Sequence, residues 1–162
     1  MNIGITGHQK TPPSGSWQWV RGQLVKQIKD RSGEIELAYS CLAEGADQVF
    51  AEVAVEAGLA LKVVVPCKGY GGAFKSNKAR SKYGHLKAKA SAIDELAYAA
   101  PSEDAFMAAG EHIVNNVALL FAVWDGQEAP GNGGTDDVVA FAVSRGVNVL
   151  HLNPVEETVT EL

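Results

Sequence analysis

The chain has 162 residues, the size of one domain, and its 46% hydrophobic and 20% charged residues make an ordinary globular mixture. Its net charge of −5 argues against a protein that grips DNA mainly through phosphates, which needs a basic face. No apolar run approaches the roughly 20 residues that span a bilayer, and the opening Met1-Asn2-Ile3-Gly4 has no basic segment ahead of an apolar core. A soluble, cytoplasmic protein with no membrane partner is expected.

Short apolar runs alternate with helical patterns. Ile3 to Thr6 reads as a strand ending at Gly7, followed by a polar, Pro-containing loop from His8 to Gly15. A helix is expected over about Ser16 to Arg31, with Val20, Leu24, Val25 and Ile28 on one face. Ile35 to Ser40 is the second strand. Ala46, Val49, Phe50, Val53, Ala54 and Ala57 then line one face of a helix that Gly58 closes.

Leu61 to Val65 is a β-branched strand stopped by Pro66. Between Lys68 and Asp104 the pattern suggests a glycine-rich loop, a helix around Leu86 to Tyr98 and a turn at Pro101. A helix over about Ala105 to Asn116 leads into the most apolar strand, Ala118 to Trp124. After a Gly/Pro loop come a helix from about Thr135 to Arg145 and a last strand, Val147 to Leu152, with a frayed tail over residues 155–162.

Strands buried on both faces and separated by helices indicate a parallel sheet with crossover connections. The expected fold is α/β, a Rossmann-like three-layer sandwich spanning residues 1–154 as one domain. Its mostly parallel sheet would have five strands in the order 3-2-1-4-5, with helices on both faces. That order puts the switch point between the first and fourth strands, where open α/β sheets bind ligands. The loops to inspect therefore follow Thr6 and Trp124.

The first loop, Thr6-Gly7-His8, offers a glycine at a sharp turn with hydrogen-bonding side chains on either side. It matches neither GxGxxG nor GxxxxGK[ST], and a plain turn glycine fits it equally. The second loop carries Trp124-Asp125-Gly126 and then Gly131-Asn132-Gly133-Gly134-Thr135-Asp136-Asp137. Glycines before a helix expose backbone N–H groups where the helix dipole favours an anion such as phosphate. Thr135 could cap the helix or donate to that phosphate, but a cap needs at most one glycine. Asp136 and Asp137 fit two roles, holding or cleaving a ribose or complementing the dipole as surface charges.

In a third segment, Leu42-Ala43-Glu44-Gly45-Ala46-Asp47, Gly45 opens a helix towards the strand ends. Asp47 there is either a dipole charge or a hydrogen-bonding anchor for the adjoining loop. His8, His85, His112 and His151 show no metal-ligand spacing, and Cys41 and Cys67 read as buried free thiols. Neither a serine hydrolase nor a zinc enzyme is expected. Lys75, Lys78, Arg80, Lys82, Lys87 and Lys89 form a basic run, read either as a solvated face or as a contact for an anionic ligand.

Taken in order, Gly4-Ile5-Thr6-Gly7-His8, Leu42 to Asp47, and Ala122 to Gly126 with Gly133-Gly134-Thr135 resemble the SLOG superfamily. That superfamily includes the lonely-guy phosphoribohydrolases, the DNA-processing protein A family and the N-terminal domains of TRPM channels. The resemblance covers about residues 2 to 152 and looks nearest to stand-alone bacterial members linked with nucleotide signalling or defence. It implies a Rossmann-like domain that binds a nucleotide-type small molecule without a required cofactor. It places Gly7, Gly45, Gly133, Gly134 and Thr135 at ligand-cradling positions, and pairing of exposed faces would give a homodimer.

The enzymatic branch departs from the pattern. Lonely-guy enzymes and nucleoside deoxyribosyltransferases resemble each other in placing an acidic residue three after the threonine, and here that position is Val138. The leading expectation is a sensor or binding domain for a nucleoside phosphate or ADP-ribose-like ligand, contacted by Thr6, Gly7, His8, Gly45, Asp47, Asp125, Gly126, Gly133, Gly134 and Thr135. The alternatives are an N-glycosidic hydrolase or transferase using Asp137 with Asp136, and a single-stranded DNA-binding module, which the acidic balance disfavours.

Overall fold

The computed structural model describes residues 1–10, 15–128 and 134–162. Among the described residues, seven strands form one sheet: β1 (Asn2–Gly7), β2 (Leu37–Ser40), β3 (Ala60–Cys67), β4 (Ala92–Tyr98), β5 (Leu119–Val123), β6 (Asn148–Asn153) and β7 (Thr158–Glu161). Five α-helices of the described residues accompany them: α1 (Trp17–Asp30), α2 (Ala46–Glu56), α3 (Asn77–Ala88), α4 (Glu103–Val114) and α5 (Thr135–Ser144). The strand order is β4-β3-β2-β1-β5-β6-β7. All neighbours are parallel except β6 and β7. The expected five-strand order lies intact inside this sheet.

Two strands depart from expectation. Residues expected as a helix around Leu86 to Tyr98 instead end α3 and then form β4, whose Lys62↔Ala92 and Val65↔Glu95 pairings extend the sheet beyond β3. Asp94 of β4 accepts a 2.8 Å hydrogen bond from His112 of α4 and lies 3.3 Å from Lys62 of β3, which pins the edge strand from two sides. Burial raises the Asp94 carboxyl, but the bonds from His112 and Lys62 outweigh it and hold the pKa below the ordinary value. At the other edge, Thr158–Glu161 is not a frayed tail. It returns antiparallel along β6, with His151 opposite Thr160.

Alternation along the strands puts apolar residues on both faces of the sheet. Ile3, Ile5, Phe121 and Leu152 meet Val20, Leu24 and Phe50 of α1 and α2. Leu120, Ala122, Val64 and Val149 meet Ala109, Ile113, Val138 and Ala142 of α4 and α5 on the opposite face. The period-two pleat sends adjacent residues to opposite cores, so helices cover both faces. Gly4 lets α4 come close, since a Cβ there would sit 2.5 Å from Ile113. Among the described residues, no helix is long and apolar enough to cross a membrane.

Candidate functional site

The site begins where β1 and β5 end together. Gly7 pairs with Val123, and the His8 amide donates to the Val123 carbonyl at 2.9 Å. The loops after these strands therefore leave the sheet side by side. The Asp125 amide donates to His8 Nε2 at 3.2 Å, which makes this imidazole nitrogen an acceptor. The Asp125 carboxylate accepts from the Gln127 amide at 3.0 Å and lies 3.5 Å from His8 Nε2. The Trp124 carbonyl is bonded to His151 at 2.7 Å, and the Trp124 indole N–H donates to the Gln127 carbonyl at 2.8 Å. Gly126 adopts a positive φ of 84° to close this turn.

The second loop is built round Asp47. Its carboxylate accepts from the Ala43 amide at 3.3 Å, and Ser40 bridges the Leu42 amide and the Asp47 carbonyl. Burial pushes the Asp47 carboxyl up to about 7, against the opposing pull of the Ala43 and Cys41 amides. Gln48 ties the Leu42 carbonyl to that of Ala79 in α3. The loop-anchoring role considered for Asp47 is thus the one its hydrogen bonds perform.

Helix starts divide into two kinds. Ser16, Ser76 and Ser102 each accept a bond from an amide in the first turn of α1, α3 and α4. By contrast, α2 and α5 start on Gly45 and Gly134 with no side-chain cap. The α2 start is occupied by the protein itself, because the Ala46 amide donates to the His8 carbonyl at 3.0 Å. Gly45 has φ +93°, and a Cβ there would fall 2.3 Å from the Gln9 carbonyl oxygen.

A cavity of about 300 Å³ opens between these loops and α4. Thr6, Gly7, His8 and Asp47 line one side; Gly134, Thr135 and Val138 line the other. Tyr70, Phe106, Gly110 and Ile113 complete the wall. Gly110 brings α4 against α5, since a Cβ there would lie 2.6 Å from Val138. The N-terminus of α5 meets the cavity, and the dipole at that end favours an anion.

Six of the sequence-derived residues therefore share one cavity: Thr6, Gly7, His8, Asp47, Gly134 and Thr135. Gly45 lines an adjacent hollow, while Asp125, Gly126, Asp136 and Asp137 stand outside the cavity wall. Gly131, Asn132 and Gly133 lie outside the described residues. Gly7 serves packing more than a turn: a Cβ would meet Ala46 at 2.6 Å and the Val123 carbonyl oxygen at 2.7 Å. The aromatic wall of Tyr70 and Phe106 was not anticipated; Phe106 follows the start of α4 and Tyr70 sits in an irregular stretch, so periodicity marks neither. Cys41 borders the cavity as a free thiol that burial drives well above its ordinary pKa, and Cys67 is buried and also free. Among the described residues, no group of three or more His, Cys, Asp or Glu is placed to hold a metal ion.

No family model and no curated protein matches the sequence. Two solved structures share the fold. DNA processing protein A from Streptococcus pneumoniae superposes with a TM-score of 0.65 at 17% identity over 93% of this chain. This chain spans about half the length of that protein, 49%. The structural-genomics protein TM1055 superposes with a TM-score of 0.54 at 12% identity, covering 91% of this chain and 71% of its own. This chain therefore shares the α/β fold of these two proteins.

Proposed function

We propose that the chain binds a nucleotide or nucleotide-derived small molecule, a nucleoside phosphate or ADP-ribose-like compound, in the crevice between the β1 and β5 loops. The observation that carries this reading is the convergence of Thr6–His8 with Gly134–Thr135 on one cavity, at the switch point of the sheet. The α5 N-terminus and Thr135 suit a phosphate. Tyr70, Phe106 and Ile113 give the apolar surface a base or sugar would cover, and the volume of about 300 Å³ is at the lower end for such sites.

Binding without cleavage is the preferred form of this reading. The wall position where the related enzymes resemble one another in carrying an acid is Val138, buried and apolar. Among the described residues lining the crevice, Asp47 is the one carboxylate, and it is engaged with its own loop. A panel of nucleoside mono- and diphosphates and ADP-ribose in a thermal-shift assay tests the proposal. A ligand at a hundred times its Kd adds about 2.7 kcal/mol of stability. Stabilisation by at least one member, lost in Thr135→Val, is expected; a flat response to the whole panel at millimolar concentration counts against it.

A further inference from the structure

The crevice does not end at Tyr70 and Phe106. A second hollow of about 470 Å³ shares Gln9, Ala43, Tyr70 and Phe106 with it. A third, of about 360 Å³, shares Gln9, Lys10, Glu44 and Ser76 with the second. The three adjoin one another beyond the carboxyl ends of β1, β2 and β3, with these residues as shared walls.

The chemistry of this extension differs from that of the crevice. Its floor is aromatic: the Tyr70 ring lies 5.3 Å from Phe74 and 6.2 Å from Phe106, both edge-on, and Phe106 remains 40% exposed. Its rim is cationic. Lys10, Lys75 and Lys78 border the second and third hollows, all exposed and in no ion pair among the described residues. Lys82 is different, held 2.9 Å from Glu52. In a chain of net charge −5, three exposed lysines beside a group of aromatic rings, of which Phe106 reaches solvent, form a local exception. Glu44 is the carboxylate between them, placed to accept from ribose hydroxyls and ill-suited to a phosphate.

We infer that the ligand is a dinucleotide-type molecule with two separated phosphate groups. One phosphate sits at the α5 N-terminus, the second half passes beyond Tyr70 to pack on Phe74 and the exposed Phe106, and its phosphate meets Lys75 and Lys78. Aromatic faces accept any base, and lysines act as point charges towards phosphate. This inference rests on the reading that the crevice holds a nucleotide phosphate.

Calorimetric titration of the whole chain with a 5′-phosphorylated dinucleotide, the matching mononucleotide and a twelve-residue single strand tests it. The expected result is a dinucleotide bound about tenfold more tightly than the mononucleotide. In Lys75→Ala/Lys78→Ala, whose fold is checked by circular dichroism, that advantage disappears while mononucleotide affinity is kept. Equal affinity for mono- and dinucleotide, or a double variant that weakens both alike, overturns the extension but leaves the crevice reading standing. Binding of none of the three probes overturns both. A twelve-residue strand that binds far more tightly than the dinucleotide, with a steep salt dependence, assigns the groove to nucleic acid instead.

Discussion

The Asp125 amide donates to Nε2 of His8 across 3.2 Å, so a residue after the fourth parallel crossover is tied directly to one after the first strand. This bond fixes the spacing of the two loops that frame the cavity.

Replacing His8 with alanine removes that acceptor and leaves a half-buried amide without it. Stability measured by urea denaturation should fall by about 1 kcal/mol. Because the loops frame the proposed site, nucleotide affinity should fall too, although the β1–β5 pairing is kept. An unchanged affinity would show that the loops hold their spacing without His8.

The glycines should respond with opposite signs. Gly45→Ala places a Cβ 2.3 Å from the Gln9 carbonyl oxygen at a φ of +93°, and backbone cannot yield as a flexible side chain would. Overpacking of this kind costs about 1–3 kcal/mol, with the left-handed backbone adding to it. Gly22→Ala lies in α1 with nothing within 4 Å of its Cβ, and should stabilise by about 0.5–1 kcal/mol. Chemical denaturation of the two variants reads both signs.

Asp47 sets a pH dependence. Its folded pKa of about 7 lies above the ordinary 3.8, so the native state holds a proton that the unfolded chain has released. The associated stability is complete below about pH 4, is lost as pH rises between the two values, and is gone above about pH 7. The gap amounts to roughly 4 kcal/mol at most. Asp47→Asn, which keeps the acceptor oxygen for the Ala43 amide, should flatten the profile over this window. ADP-ribose, whose own charge is constant between pH 6 and 8, should also bind the wild type more weakly at pH 8 than at pH 6, and Asp47→Asn should reduce that difference.

Asp137 stands outside the cavity wall. Asp137→Asn should therefore leave nucleotide affinity within about twofold of wild type, a difference well under 1.4 kcal/mol. Free-base release from nucleoside monophosphates, followed by chromatography, should be undetectable in both proteins. Release by the wild type that the variant abolishes would move the assignment to an N-glycosidic enzyme.

The central strands were legible because β5 is apolar throughout and β1, β2, β3 and β6 carry apolar residues at most of their buried positions. The edges were not. In β4, Ala92-Ile93-Asp94-Glu95-Leu96 favours helix locally, and only pairing with β3 and the His112 contact impose a strand. Thr158-Val159-Thr160 carried the β-branched alternation of β7, but its full exposure gave no apolar anchor. Ser76 marked the start of α3 as a cap, a signal hidden by the low apolar content of that helix. At the site, Gly7 and Gly45 were identifiable as special residues. Their reason, contact of backbone with backbone across the fold, depends on partners remote in sequence.

The most direct test follows backbone amide resonances while a nucleoside 5′-monophosphate is added. Signals from Thr6 to Gln9 and from Gly134 to Val138 should shift together and saturate at one concentration, with β7 and the outer face of α1 unmoved. Shifts confined to one of the two loops, or spread evenly over the surface, would contradict a ligand held between them.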